Sequence, residues 1–239
     1  MSLFLYYFML FFIYSIIGWA VESVYVSCQE NKLVNRGFLI GPYCPIYGFG
    51  CLLMVLYLGQ YKDNIVTVFL LGLVICTVLE YFTSYIMEVL FKTRWWDYSD
   101  RKFNLNGRVC GWNALLFGIG GLIIVYLLHP MLLHILIECN KTALLIISIC
   151  CFIVFVTDLI FSLNIVNRFK KTVTDLDLKK DSTQEFSDMV REALLRNHRT
   201  FQKRLYTAFP NLDLKPLLTL RDEIKEEIQE FLDKKKDRK

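Results

Sequence analysis

Residues 35–50 read Asn-Arg-Gly-Phe-Leu-Ile-Gly-Pro-Tyr-Cys-Pro-Ile-Tyr-Gly-Phe-Gly, with two prolines and four glycines in an otherwise apolar stretch. Because proline removes a backbone donor and glycine weakens a helix, the stretch predicts a broken helix. Irregular backbone at membrane depth survives only where protein or a water-filled cavity surrounds it, since unpaired N–H and C=O groups are costly in hydrocarbon. The stretch therefore predicts an intramembrane site, but it does not name a substrate.

The composition indicates a membrane protein. Hydrophobic residues make up 55% of the 239 residues, and the mean hydropathy is +0.40. We predict an all-α polytopic membrane helical bundle with about five transmembrane helices, because roughly 20 apolar residues cross the hydrocarbon core. One of the five is broken by Pro and Gly. The expected spans are Leu3–Val26, Phe38–Leu58, Ile65–Phe91, Val109–Leu128 and Thr142–Val166.

The distribution of lysine and arginine predicts the orientation. The loops after the first and third spans carry seven of these residues, and the other two loops carry two. Basic residues concentrate on the cytoplasmic side of a membrane. We therefore expect a multi-pass protein of the plasma membrane, with the N-terminus outside and the C-terminus in the cytoplasm. The first span lacks the basic n-region of a secretory signal and is expected to be retained.

The chain is expected to divide into a transmembrane bundle, residues 1–166, and a cytoplasmic tail, residues 167–239. The bundle holds nine basic and nine acidic side chains, so the net charge of +4 belongs to the tail. A capping box at Ser182–Glu185, an amphipathic run to Phe209 and a second run over Lys215–Lys236 predict a helical hairpin. Its basic end either contacts anionic membrane lipid or stays in solvent.

The cysteines and histidines do not form a binding motif. The eight cysteines lack a C-x-x-C pair, and the three histidines lack zinc-ligand spacing. We expect the cysteines to behave as small apolar residues. No metal, no cofactor and no nucleic-acid partner are expected.

Acidic residues inside the spans mark a candidate site, because a charged group at membrane depth normally faces a partner, a cavity or a functional path. Four acids qualify: Glu22, Glu80, Glu88 and Asp158. Two sets of polar residues recur at steps of three and four, which places each set on one helical face. The sets are Ser15, Gly18, Glu22, Tyr25 and Gln29 in the first span, and Thr77, Glu80, Ser84 and Glu88 in the third. They are expected to face each other or a shared cleft; structural pairing with Arg36 and Arg108 is the alternative.

The loop at residues 94–108 adds polar candidates. Its tryptophans and Tyr98 are typical interface anchors. Arg108 precedes a glycine-rich segment, and a guanidinium beside exposed backbone amides is suited to bind an anion. The full set of expected substrate-binding residues is Glu22, Arg36, Tyr47, Glu80, Glu88, Asp97, Asn104, Asn106 and Arg108.

The two cytoplasmic loops resemble each other. Asn35-Arg36-Gly37 and Asn106-Gly107-Arg108 each follow an acidic span, and each precedes an apolar segment that contains a Gly-x-Gly. The order predicts a parallel duplication in which spans one and two repeat as spans three and four. Chance similarity between glycine-containing membrane segments is the alternative.

Several motifs together resemble a known family. They are Gly18-Trp19-x-x-Glu22, the stretch Asn35 to Gly50, Trp96-Asp97-Tyr98-Ser99 and Asn104-Leu105-Asn106-Gly107-Arg108. This combination resembles the bacterial membrane family described as putative ABC-transporter type IV, or CmpB-like permease. The resemblance covers most of residues 14–125 and implies a permease subunit of an ABC-type transporter.

A permease of this kind needs an energy source. Residues 1–239 contain no G-x-x-x-x-G-K-[ST] phosphate loop. A separate ATPase subunit is therefore expected, with the loop Lys92–Arg108 or the tail as its docking site. Because five spans are few for a translocation path, a homo- or hetero-oligomer is also expected.

Two other functions stay open at this point. A membrane-embedded enzyme acting on a lipid-linked or anionic substrate would use a buried carboxylate as general base and Arg36 or Arg108 to bind the anion. An accessory or sensor subunit would recruit partners through its tail. The sequence leaves open whether the chain catalyses a reaction.

Overall fold

The computed structural model describes residues 3–31, 34–91 and 94–176, and within them the regular elements are helical. The helices are α1 (Leu3–Glu30), α2 (Pro45–Leu58), α3 (Ile65–Phe91), α4 (Gly111–Ile123), α5 (His129–Glu138) and α6 (Lys141–Leu176). The expected all-α membrane bundle is confirmed. The expected helical hairpin of the tail lies outside the described residues.

Among the described residues, four helical stretches are long and apolar enough to cross a membrane. They are Leu3–Cys28, Ile65–Phe91, Gly111–Glu138 and Lys141–Asn164. The expected second span differs from these, because it becomes helical only at Pro45. With 14 residues, α2 covers about 21 Å, which is less than the roughly 30 Å of a hydrocarbon core. Within the described residues the bundle therefore has four span-length helices, and the expected broken helix is the shorter fifth one.

The fourth expected span continues beyond Leu128 through a π-helical turn, Ile124–Leu128. In this turn the His129 N–H donates to the carbonyl of Ile124, five residues earlier. Pro130 follows directly and has no N–H to donate. A wider turn is one of the ways in which a helix accommodates such a residue. The helix therefore runs on to Glu138.

The described residues fall into two compact units. The first comprises the chain up to Thr83 and the residues Tyr98–Leu163; the second comprises Ser84–Asp97 and the residues from Asn164. In the first unit α1 is the central helix, since 39% of its apolar stretch is buried, against 22%, 17% and 17% for the other three long helices.

The core of the first unit forms around α1. One buried cluster joins α1 to α5 and α6, and a second joins α1 to the segment before α2. The side chains of the two clusters are Met9, Leu10, Tyr14, Leu132, Leu136 and Leu144, and Phe8, Phe11, Phe12, Leu39 and Tyr43. Large apolar side chains such as Val74, Ile119 and Ile153 stay exposed on the long helices. That pattern suits contact with lipid.

Two glycines allow α1 and α2 to pack closely. A Cβ atom on Gly18 would lie 2.3 Å from Cβ of Tyr47, and one on Gly48 would lie 2.3 Å from Oγ of Ser15. Side chains at these positions would collide with the facing helix. Small residues at such crossings are a common means of helix packing in membranes, where closeness strengthens van der Waals contact.

The irregular segment before α2, residues 34–44, follows one side of α1. Four α1 residues, each four positions from the next, form hydrogen bonds with it. The Val34 N–H donates to Oγ of Ser27 at 3.0 Å, and the Arg36 N–H donates to Oγ of Ser23 at 3.2 Å. Nε1 of Trp19 donates to Oδ1 of Asn35 at 2.7 Å. The Cys44 N–H donates to the carbonyl of Ser15 at 2.9 Å. Polar groups of the broken helix are thus paired inside the protein, as hydrocarbon requires.

Asp158 of α6 binds the same segment from another side. Its Oδ1 accepts from the Ile40 N–H at 3.0 Å, and its Oδ2 accepts from the Gly41 N–H at 2.7 Å and from the Tyr43 hydroxyl at 2.5 Å. The hydroxyl of Ser162 donates to Oδ1 as well. The acid therefore provides acceptors for a stretch of chain that has no helical partners of its own.

Replacing Asp158 by Asn is expected to destabilise the protein by roughly 1–3 kcal/mol, because one acceptor oxygen becomes an NH2 group facing N–H and O–H donors. The measurement is thermal unfolding in detergent, where the Tm should fall. Thr157→Val is the matched control, since that exposed hydroxyl only donates back to the Ile153 carbonyl. An Asp158→Asn protein as stable as the wild type would contradict this structural role.

Candidate functional site

Glu22 of α1 is paired through both carboxylate oxygens. Nε of Arg36 donates to Oε1 at 3.2 Å, and the Tyr47 hydroxyl donates to Oε2 at 2.8 Å. The Glu22 and Arg36 side chains are 25% and 20% exposed. Three residues expected in the site are therefore in direct contact, and their charges balance.

Glu80 of α3 has a different environment. Its side chain is 7% exposed. The Tyr98 hydroxyl and Nδ2 of Asn113 both donate to Oε1, each over a long 3.4 Å. Its Oε2 is buried and has no hydrogen-bond partner among the described residues, and the same holds for Oγ1 of Thr77, one helical turn earlier. This acid is thus buried and only weakly bonded.

Tyr98 connects the two acids electrostatically. Its backbone N–H donates to the carbonyl of Gly107 at 2.7 Å, which fixes the tyrosine at the start of the loop. Burial raises the pKa of Tyr98, and the negative charges of Glu80 and Glu22 raise it further. The phenol therefore stays protonated at neutral pH and serves as a donor. Because both acids act on one phenol, the Glu22 and Glu80 clusters belong to one polar region of the first unit.

Two residues of the loop motif Asn106-Gly107-Arg108 contact Tyr81, which follows Glu80 in α3. Nδ2 of Asn106 donates to the Tyr81 hydroxyl at 3.0 Å. Cζ of Arg108 lies 5.8 Å from the centroid of the Tyr81 ring, within cation–π range, and the arginine is buried. The structure thus brings Asn106 and Arg108 next to the helical turn that carries Glu80.

The two loops also enter the following helices in the same way. Cys44 and Cys110 are the extended residues that precede α2 and α4. The third residue after each, Tyr47 and Asn113, donates to the acid of the preceding long helix. This correspondence supports the expected duplication, which stays a prediction.

The remaining expected site residues have local partners. Asn104 holds its own loop, since its Nδ2 donates to the carbonyls of Ser99 and Arg101 while its Oδ1 accepts from the Gly107 N–H. Glu88 and Asp97 belong to the second unit, where both contact Arg94, at 3.0 Å and 3.7 Å. Asn104 thus bonds within its own loop, and Glu88 and Asp97 form ion pairs within the second unit.

Sequence reasoning missed two members of the polar region, Tyr98 and Asn113. Tyr98 lies near the end of a span, where tyrosines are common as interface anchors, so its contact with Glu80 was not predicted. Asn113 is an amide within an apolar span, and its position three residues after Cys110 matches that of Tyr47 after Cys44. This spacing could have identified it.

Within the described ranges no three His, Cys, Asp or Glu side chains lie close enough together to hold a metal ion. The polar region instead offers carboxylates, phenols, amides and two guanidinium groups. Such a set can bind a polar ligand through hydrogen bonds and can exchange protons.

A double-mutant cycle tests the Glu22–Arg36 pair. Glu22→Gln and Arg36→Gln should each lower the Tm in detergent, and the double variant should lose less than the sum, with a coupling energy of roughly 1 kcal/mol. The control combines Glu22→Gln with Arg101→Gln, an exposed loop residue whose effect should simply add. Additive losses for Glu22 and Arg36 would contradict a stabilising pair.

Comparison with known proteins supports the family resemblance inferred from the motifs. No curated protein and no solved structure matches the chain significantly. The family model described as "Putative ABC-transporter type IV" matches residues 9–163, which is more than half of the chain and includes both loops and all six helices in whole or in part. The resemblance based on the motifs is confirmed, and the chain belongs to this ABC-transporter type IV family.

Proposed function

We propose that this chain is the permease subunit of an ABC-type transporter, and that the polar region around Glu22 and Glu80 is its cytoplasm-facing substrate site. The observation that carries the proposal is the placement of two acids in one polar region of a bundle whose long helices are largely apolar. Acids inside membrane helices commonly mark a substrate or ion pathway. The family's description as an ABC transporter supports the same function.

The proposed site is built from fixed partners. Arg36 and Tyr47 hold Glu22, while Asn113 and Tyr98 approach Glu80 from α4 and from the loop. Side chains held in this way are pre-organised, so that a ligand loses little free energy in ordering them. The substrate would form hydrogen bonds with these groups, so its polar atoms would not be exposed to hydrocarbon.

Energy for transport would come from a separate ATPase subunit. No phosphate-loop motif occurs in residues 1–239. The loop at residues 94–108 exposes Arg101 and Lys102, and we propose this cytoplasmic face, or the tail, as the dock. Because the described residues contain four span-length helices, the translocation path would be shared with a second copy or another membrane subunit.

A membrane-embedded enzyme is the second candidate, and one observation favours it. Oε2 of Glu80 has no partner among the described residues, which leaves it able to accept a proton from a substrate. Turnover of an anionic or lipid-linked substrate by the purified chain, with no ATP-binding partner, would favour this function over transport.

Affinity purification of the tagged chain in mild detergent is expected to recover an ATP-binding protein with a phosphate-loop motif. If the cytoplasmic loop is the dock, Arg101→Glu together with Lys102→Glu should reduce recovery several-fold, because the charge of the face is reversed. Lys62→Glu, in the opposite loop, is the matched control. A chain truncated after Leu176 tests the tail as the dock. Failure to recover such a protein in any detergent or after cross-linking would contradict the permease proposal.

The proposed orientation is tested by labelling single cysteines in a variant without the eight native ones. Ser99→Cys and Asp63→Cys are both exposed positions, in loops expected on opposite sides of the membrane. A membrane-impermeant thiol reagent should label Asp63→Cys in intact cells and Ser99→Cys only in inside-out vesicles. The opposite pattern would place the polar site at the outer face and overturn the proposed orientation.

A further inference from the structure

Glu80 lacks a compensating charge. It lies within the long helix α3 and is more than nine-tenths buried. Among the described residues no Lys, Arg or His forms an ion pair with it, whereas Glu22, the other acid of the region, is paired with Arg36. A buried carboxylate without a cation is costly, and a protein normally relieves the cost by neutralising the group.

Among the described residues, the groups that interact with Glu80 come from four elements, and none of them is a cation. Tyr98 of the loop and Asn113 of α4 donate to Oε1. Glu22 of α1 and Cys76 of α3 interact with it electrostatically. These neighbours stabilise one carboxylate oxygen and provide nothing for the other.

The second carboxylate oxygen of Glu80 has no hydrogen-bond donor among the described residues. Oε2 of Glu80 and Oγ1 of Thr77 are both buried, and within the described part of the chain both lack a hydrogen-bond partner. The two residues are three positions apart in α3, so their side chains are neighbours on one helical face. A buried polar atom without a partner usually signals a ligand, a water or a proton that the protein chain does not supply.

We propose that Glu80 is a proton-binding site, in which a proton bound at the partnerless Oε2 neutralises the buried carboxyl group. The step is the addition of one proton from water to one carboxylate, and no other reactant is needed. The proton would remove a buried negative charge that forms no ion pair with a described Lys, Arg or His.

The protonation state of Glu80 sets the charge of the whole region. When Glu80 is neutral, the Glu22–Arg36 pair contributes no net charge, and release of the proton adds one negative charge to the region. Binding of a charged ligand near Glu22 would therefore be linked to release or uptake of this proton. That linkage rests on the proposed substrate site, whereas the protonation of Glu80 itself does not.

Infrared spectroscopy of the full-length purified protein at neutral pH tests the proposal. The wild type should show the C=O stretching band of a protonated carboxyl group, and Glu80→Gln should lose it. Glu88→Gln is the matched control, because Glu88 is paired with Arg94 and its replacement should leave the band unchanged. Thr77→Val, one turn away, should keep the band, because the proton is bound to Glu80. A band that is absent from the wild type, or unchanged in Glu80→Gln, overturns the proposal.

Thermal stability as a function of pH is an independent measurement, and it applies even if Glu80→Gln folds poorly. A proton held by the native state, but not by the unfolded chain, stabilises the fold, and that stabilisation is lost as the pH rises. The Tm of the wild type and of Thr77→Val should therefore fall from mildly acidic to mildly basic pH. A Tm that instead rises with sodium at constant ionic strength would assign the site to a metal cation and overturn proton binding.

Discussion

The need to pair every backbone polar group inside a membrane governs this structure. Residues 34–44 are irregular and lie between apolar helices, so bulk water is not their natural partner. The protein meets the need with two supports. Successive turns of α1 bind the segment along its length, and Asp158 of α6 binds its last part. Removing either support would leave donors in an apolar setting.

This arrangement explains why the segment and α2 are bound so closely to α1. Gly18 and Gly48 bring the two helices into contact, and that contact puts the Tyr47 hydroxyl within reach of Glu22. Arg36 reaches the same acid from the segment itself. The broken helix is therefore the framework of half the polar region. A continuous helix through residues 38–58 would place Arg36 elsewhere and leave Glu22 with fewer partners.

The two acids of the region illustrate two solutions to burial of a carboxylate. Glu22 is partly exposed and has a cation and a phenol as partners. Glu80 is more deeply buried and has only long bonds from a phenol and an amide. The first acid thus has a charged and a polar partner, whereas no described Lys, Arg or His forms an ion pair with the second. Two acids with different environments in one region allow it to bind a ligand and a proton at separate groups.

Much of the fold could be predicted from the sequence. Hydropathy identified the four long helices, and the prolines and glycines of residues 35–50 located the broken one, because both signals are local. The predicted second span began at Phe38, whereas α2 begins only at Pro45. The helix beyond Leu128 was also missed, since a π-helical turn before Pro130 has no simple sequence signature.

By itself the sequence determined the class of protein, the family motifs and the acids that lie at membrane depth, because composition and helical period depend on neighbouring residues. Only the tertiary structure decided which groups pair. Asp158 bonds to residues more than one hundred positions away, and Asn113 reaches Glu80 from another helix. Such contacts depend on how helices pack in three dimensions, and the period of one helix carries no information about the distance to another.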